Sequence, residues 1–149
     1  MRRYFPALVL LCIATSGLAA SSMPDNRIPI PVSSAERNQI LYEMREFLHG
    51  LHNLQYAMAG KDMKAIAVTA KPMGPLLDRL PAGLRDRLPE EFVQIAIAQN
   101  EAFQSLARIG EQNGSVTDAL AQTAEILTYC SGCHDSYRFE VKAPPRVRR

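Results

Sequence analysis

Apolar residues along the chain recur at steps of three and four, and no alternating strand pattern stands out. Ser33 or Ser34 is a good helix cap, with Glu36 in the first turn. From there Arg37, Leu41, Met44, Leu48, Leu51, Gln55 and Met58 form one stripe, widened by Ile40, Phe47 and Leu54. That spacing predicts a long amphipathic helix ended by Gly60. Asp62 is placed to cap a second helix carrying Met63, Ile66, Val68 and Ala70. Pro72, Gly74 and Pro75 break it near residue 71. Leu76, Leu77 and Leu80 resume helix briefly, and residues 81–89 read as a connection with one short turn. Pro89 followed by Glu90 and Glu91 starts a further helix, because proline fits the first turn and acids suit the dipole. Its face is Phe92, Ile95, Ala96, Gln99, Phe103, Leu106 and Ile109, and Gly110 and Gly114 close it. The last helix starts at Ser115, carries Leu120, Thr123, Ile126 and Leu127, and runs to just before Pro144. Four apolar stripes joined mostly by short links predict an all-α chain folded as an antiparallel four-helix bundle over residues 33–140.

The two ends differ from this pattern. Arg2 and Arg3, an apolar run at Ala7–Ala14 and the small residues after Gly17 have the order of a cleaved secretory signal over residues 1–20. The apolar run is short against the roughly 20 residues of a membrane span. Cys12 invites a lipoprotein reading, but Leu11 before it is not small. Residues 21–32 read as an extended lead-in, and 141–149 as a basic disordered tail interrupted by Pro144 and Pro145. The tail is either a solubilising end or a docking site for an acidic partner. The full chain of 149 residues has 17 basic and 15 acidic side chains. Losing Arg2 and Arg3 leaves 17 − 2 = 15 basic residues against 15 acidic ones, a neutral balance that speaks against nucleic-acid binding.

Loss of the signal also removes Cys12 and leaves Cys130 and Cys133, within the stretch Cys130-Ser131-Gly132-Cys133-His134. On a helix, Cys130, Cys133 and His134 share one face, with Tyr137 and Arg138 one turn further on. Three chemistries could use that patch. A structural zinc site would have to borrow a fourth ligand from His49 or His52. A thiol exchanger usually opens a helix after a strand, where the dipole lowers the thiol pKa, and here the motif is late in a helix. Cys-x-x-Cys-His is also the attachment signature of c-type haem, with the thiols bonded to the porphyrin edge and the histidine beneath the iron. Export suits that chemistry, and it uses every cysteine of the mature chain.

A helical bundle with Cys130-x-x-Cys133-His134-x-x-Tyr137-Arg138 on its last helix resembles the cytochrome c′ and cytochrome c-556 group over residues 33–140. The resemblance implies a periplasmic electron-transfer protein with one covalent haem c inside the bundle, near the last helix. It implies His134 as proximal iron ligand and Arg138 near the proximal face. Redox partner proteins and a possible homodimer follow from it too. The broken second helix and the long link to residue 89 depart from the group and put its usual dimer contact in doubt.

The group takes the residue over the far side of the iron from its first helix, where Leu41, Met44, His49 and His52 are the candidates. At about 100° per residue, Leu41 lies about 60° from Met44, His52 about 80° and His49 about 140°. Met44 is thus read at the centre of the stripe, and it stands sixteen positions before Gly60, as the ligating methionine does in c-556-like members. An alternative register, aligning Arg37 with an arginine near the propionates in c′-like members, puts Leu41 over the iron. Methionine ligation implies an electron carrier. An apolar cover implies a five-coordinate iron that binds NO or CO. A haem-bearing accessory subunit is the third reading. No paired acids and no Ser-His-Asp set argue for an enzyme.

Overall fold

The computed structural model describes residues 24–142. The chain is mostly helical, as expected. In order, the elements are β1 (Ile28–Val32), α1 (Ser34–Ala59), α2 (Met63–Ala70), α3 (Leu76–Arg79), a single 3₁₀ turn (Arg85–Arg87), α4 (Glu90–Glu111), α5 (Val116–Ser136) and β2 (Tyr137–Val141). No helix among the described residues is long and apolar enough to cross a membrane. The signal segment and most of the basic tail lie outside the described residues.

Local chemistry sets the helix starts. Ser33 caps α1 and Ser115 caps α5, each in a reciprocal box with the acid three residues on, Glu36 and Asp118. The Asp62 side chain accepts from the Ala65 amide and starts α2.

The helices pack in a chain of neighbours: α1 on α2, α2 on α4, α4 on α5. α1 and α5 make only slight contact. α2 and α4 approach closely at Gly110, where an added Cβ would lie 2.6 Å from the Met63 carbonyl oxygen and 2.7 Å from the Ala67 nitrogen. One apolar cluster joins Phe47, Leu54, Ile66, Phe103, Leu106 and Ile126 from these four helices. Phe47 and Phe103 stack with ring centroids 5.8 Å apart.

Three sequence expectations need correction. The first concerns α1, whose buried line is Ile40, Phe47 and Leu54, with Glu43 and Met58. Met44 and Leu51 are half-buried on its shoulder, and Leu41 and Leu48 are exposed. Met44 is therefore not the centre of the stripe.

The second concerns the lead-in, which is extended as expected but is paired rather than free-standing. Ile28–Val32 is a strand that pairs in parallel with Tyr137–Val141, Ile28 opposite Tyr137 and Val32 opposite Val141. Ile30 and Val32 point inward, while Pro29 and Pro31 face out. Prolines lack the amide a ladder needs, so such a strand is confined to an edge.

The third concerns the last helix, which stops at Ser136. Tyr137 is extended, with φ −128° and ψ 150°, and begins β2. Val141 and Lys142, read as the start of the tail, continue this segment, and the Lys142 amide donates to the Val32 carbonyl at 3.1 Å. A second cluster seals this end: Ile30, Val32, Ile40, Leu84, Leu88, Phe92 and Tyr137. Phe92 meets Tyr137 and Phe139 edge-on, at centroid distances of 5.4 and 5.9 Å.

Candidate functional site on the last helix

Cys130, Cys133 and His134 lie in the final turns of α5, so the helical spacing holds for all three. Both thiols are half-buried, and among the described residues neither is in a disulfide. Gln99 on α4 donates to the Cys130 sulfur at 3.7 Å. Burial pushes the Cys130 thiol up, and burial together with the neighbouring Cys130 pushes Cys133 up to about 11. These are not activated thiolates. His134 is exposed.

The flanks of the two outer helices frame the motif. Tyr129 on α5 has its hydroxyl pKa raised by desolvation and by Glu125, with a smaller contribution from Glu101 on α4, which places the Tyr129 flank toward α4. Leu120, Leu127 and His134 occupy the opposite flank, and the two leucines are 47% and 44% exposed. On α1, Glu43, Glu46 and Gly50 border a cavity with Val68, Thr69 and Met73, so that flank faces α2. Leu41 and Leu48, 38% and 65% exposed, occupy the flank turned away from it. Each outer helix thus carries apolar side chains on the flank that its packed neighbour leaves free.

Met44 touches both apolar clusters, and Cys133 packs on the second of them, so the two residues lie at the same end of the molecule. His49 is exposed and pairs with Glu46 at 3.4 Å. His52 is exposed and packs its ring on Tyr56, with centroids 5.3 Å apart. Among the described residues, no three His, Cys, Asp or Glu side chains converge on one point.

Arg138 does not lie one helical turn beyond His134, because it belongs to β2. Its Nη1 pairs with Glu140 at 3.1 Å, and its Nε is 3.7 Å from Asp25. That Nε is buried without a hydrogen-bond partner among the described residues.

The segment before β1 also reaches the site, which the sequence reading missed. Pro24, Asp25, Asn26 and Arg27 line a cavity of about 470 Å³ together with His134 and Asp135. Arg27 Nη1 donates to the His134 carbonyl at 3.3 Å. Only the alternation in residues 28–32 and 137–141 hinted at the pairing that brings this segment there.

Comparison with known proteins adds no identity: no family model, curated protein or solved structure matches the chain.

Proposed function

We propose that the protein is a periplasmic monohaem c-type cytochrome acting in electron transfer. In this reading the helices form a four-helix bundle, with haem c seated in the seam between α1 and α5. The observation that carries it is the position of Cys130, Cys133 and His134 on α5 beside an apolar flank that no other helix among the described residues covers. Haem c would supply reversible one-electron chemistry at its iron.

The chain's own residues divide the remaining tasks. Cys130 and Cys133 bind the porphyrin edge as thioethers. A thioether is uncharged, so half-buried, high-pKa sulfurs suit it better than they suit metal thiolates. The anchors need not converge on one point, unlike zinc ligands. His134 supplies the proximal nitrogen. Leu41, Leu48, Leu120 and Leu127 exclude water from the seam, which accounts for four exposed leucines on the free flanks of the two outer helices. Met44 supplies the distal sulfur, supported by its half-buried place at the same end as Cys133. Arg138 contributes positive charge near the proximal side. The activity requires a redox partner protein and no nucleic acid, and the chain is a carrier rather than an enzyme. A homodimer is compatible with the reading.

A second reading rests on Leu41, which protrudes on the same flank of α1. If Leu41 covers the iron, the protein is a five-coordinate NO or CO binder, or an accessory subunit carrying such a haem. CO binding to the reduced protein separates the two. The carrier takes up CO slowly or not at all, and Met44→Ala converts it to a high-spin form that binds CO rapidly. His52→Ala leaves the spectrum unchanged. A wild type that is already high-spin and binds CO at once overturns methionine ligation in favour of Leu41 as cover.

A further inference from the structure

His134 stands two residues from the end of α5. Helix ends open with little cost, and their last four carbonyls have no partner within the helix. A ligand histidine there needs restraint from outside the helix. The segment Pro24–Val32 supplies it. Strand β1 pairs with β2, which starts three residues after His134. Arg27 Nη1 donates to the His134 carbonyl, one of those four unpaired acceptors, across 107 residues of sequence. Asp25 holds that guanidinium: its carboxylate accepts from Arg27 Nε at 2.9 Å, from Nη2 at 2.8 Å and from the Arg27 amide at 3.2 Å. The same carboxylate lies 3.7 Å from the Nε of Arg138, which has no hydrogen-bond partner among the described residues.

We infer that Asp25 and Arg27 are positioning residues for His134, and that residues 24–32 form a strap holding the proximal end of α5 in ligating geometry. This rests on the haem reading above, in which His134 binds iron. Arg27 acts through the backbone of His134 and a local positive charge, and Asp25 acts by fixing Arg27. Nothing in this arrangement is needed for the helix to form further back, where Thr123 and Ile126 are buried in the core.

The test uses the exported, haem-loaded protein and its Arg27→Ala, Arg27→Lys and Asp25→Ala variants. Amide hydrogen exchange over residues 134–138 should speed up about tenfold in Arg27→Ala, the factor allowed by losing one charge-assisted hydrogen bond. Exchange around Ile126 should not change. In a denaturant titration, the Soret change that reports loss of His134 should precede the helix signal in Arg27→Ala and Asp25→Ala. The two should coincide in the wild type. Arg27→Lys, which keeps a donor and a charge, should restore most of both. Ile66→Ala is the control: it weakens the core around α2, outside the strap, and lowers the midpoint, but leaves the two signals together. Unchanged local exchange with coincident transitions in Arg27→Ala overturns the strap's role, with the haem reading intact. A chain that carries no thioether-linked haem overturns the haem reading and the ligand-positioning role with it, whatever the exchange result.

Discussion

Arg79 sits against a carboxylate that is almost fully buried. Its Nε donates to Glu43 at 2.6 Å, its other nitrogens reach the carbonyls of Pro72 and Met73, and its carbon lies 5.7 Å above the Phe47 ring. Gln39 satisfies the other Glu43 oxygen at 3.0 Å. Removing one partner of a buried pair costs more than removing both, because it leaves a charge unpaired. Arg79→Ala should therefore cost about 3 kcal/mol in a thermal melt, and Arg79→Ala with Glu43→Leu clearly less. If the double variant is the less stable of the two, the pair is not the reason Glu43 tolerates burial. Asp25 gives a pH prediction. Its hydrogen bonds to the Arg27 side chain and amide hold it at about 2, below the ordinary 3.8. A depressed carboxylate adds stability above the unfolded pKa and loses it as pH falls through the folded one. The strap should thus be insensitive to pH from neutrality down to about 4 and loosen between about 4 and 2. Carbon-detected NMR of the Asp25 carboxyl reads this directly, and a midpoint near 4 would contradict the contacts. Single-residue chemistry was legible where it was local. The placement of Cys130, Cys133 and His134 on one helix could be read from spacing alone, whereas Asp25, Arg27 and Arg79 make contacts across separations that no local pattern encodes.

At the scale of elements, Gly110 carries a close approach of α2 and α4. A methyl group there meets backbone atoms of Met63 and Ala67, which cannot rotate away. Gly110→Ala should cost about 2 kcal/mol, by forcing α2 and α4 apart, and a neutral melt would mean that the helices are not held at this distance. The apolar flanks carry a different prediction. Leu127→Lys places a charge on the free side of α5. It should leave helix content by circular dichroism unchanged while admitting water to the seam, so that the Soret change reporting loss of His134 comes at lower denaturant. A loss of helix content instead would mean that Leu127 packs in the core. The helices themselves were legible because each start carries its own signal: Ser33 with Glu36, Asp62, Pro89 with its two acids, and Ser115 with Asp118. The sheet was not. In Ile28–Val32 the alternation is real, but two prolines disguise it as a linker. In Tyr137–Val141 the apolar residues alternate as well, yet Tyr137 and Arg138 also continue the helical spacing of Cys133 and His134. Both patterns fit that stretch, and pairing with β1 and burial of Tyr137 against Phe92 decide for the strand. The rotation of the α1 stripe has a similar cause. Apolar residues span more of that helix than its neighbours cover, so periodicity alone did not say which edge is buried.

At the scale of the molecule, the helices pack in succession from α1 through α2 and α4 to α5, and the motif helix is the last member. His134 lies on the free flank of α5, and the segment before β1 reaches it from the other end of the described chain. In the proposed function, Cys130 and Cys133 hold a haem through thioether bonds. Intact mass spectrometry of the purified protein, under denaturing conditions and after exposure to a thiol-alkylating reagent, tests it. The account predicts one species, carrying the mass of a single haem and no alkyl group on Cys130 or Cys133. Cys130→Ala with Cys133→Ala should abolish the added mass. A haem-free chain alkylated at both cysteines, or one that loses stoichiometric zinc on denaturation, would contradict it.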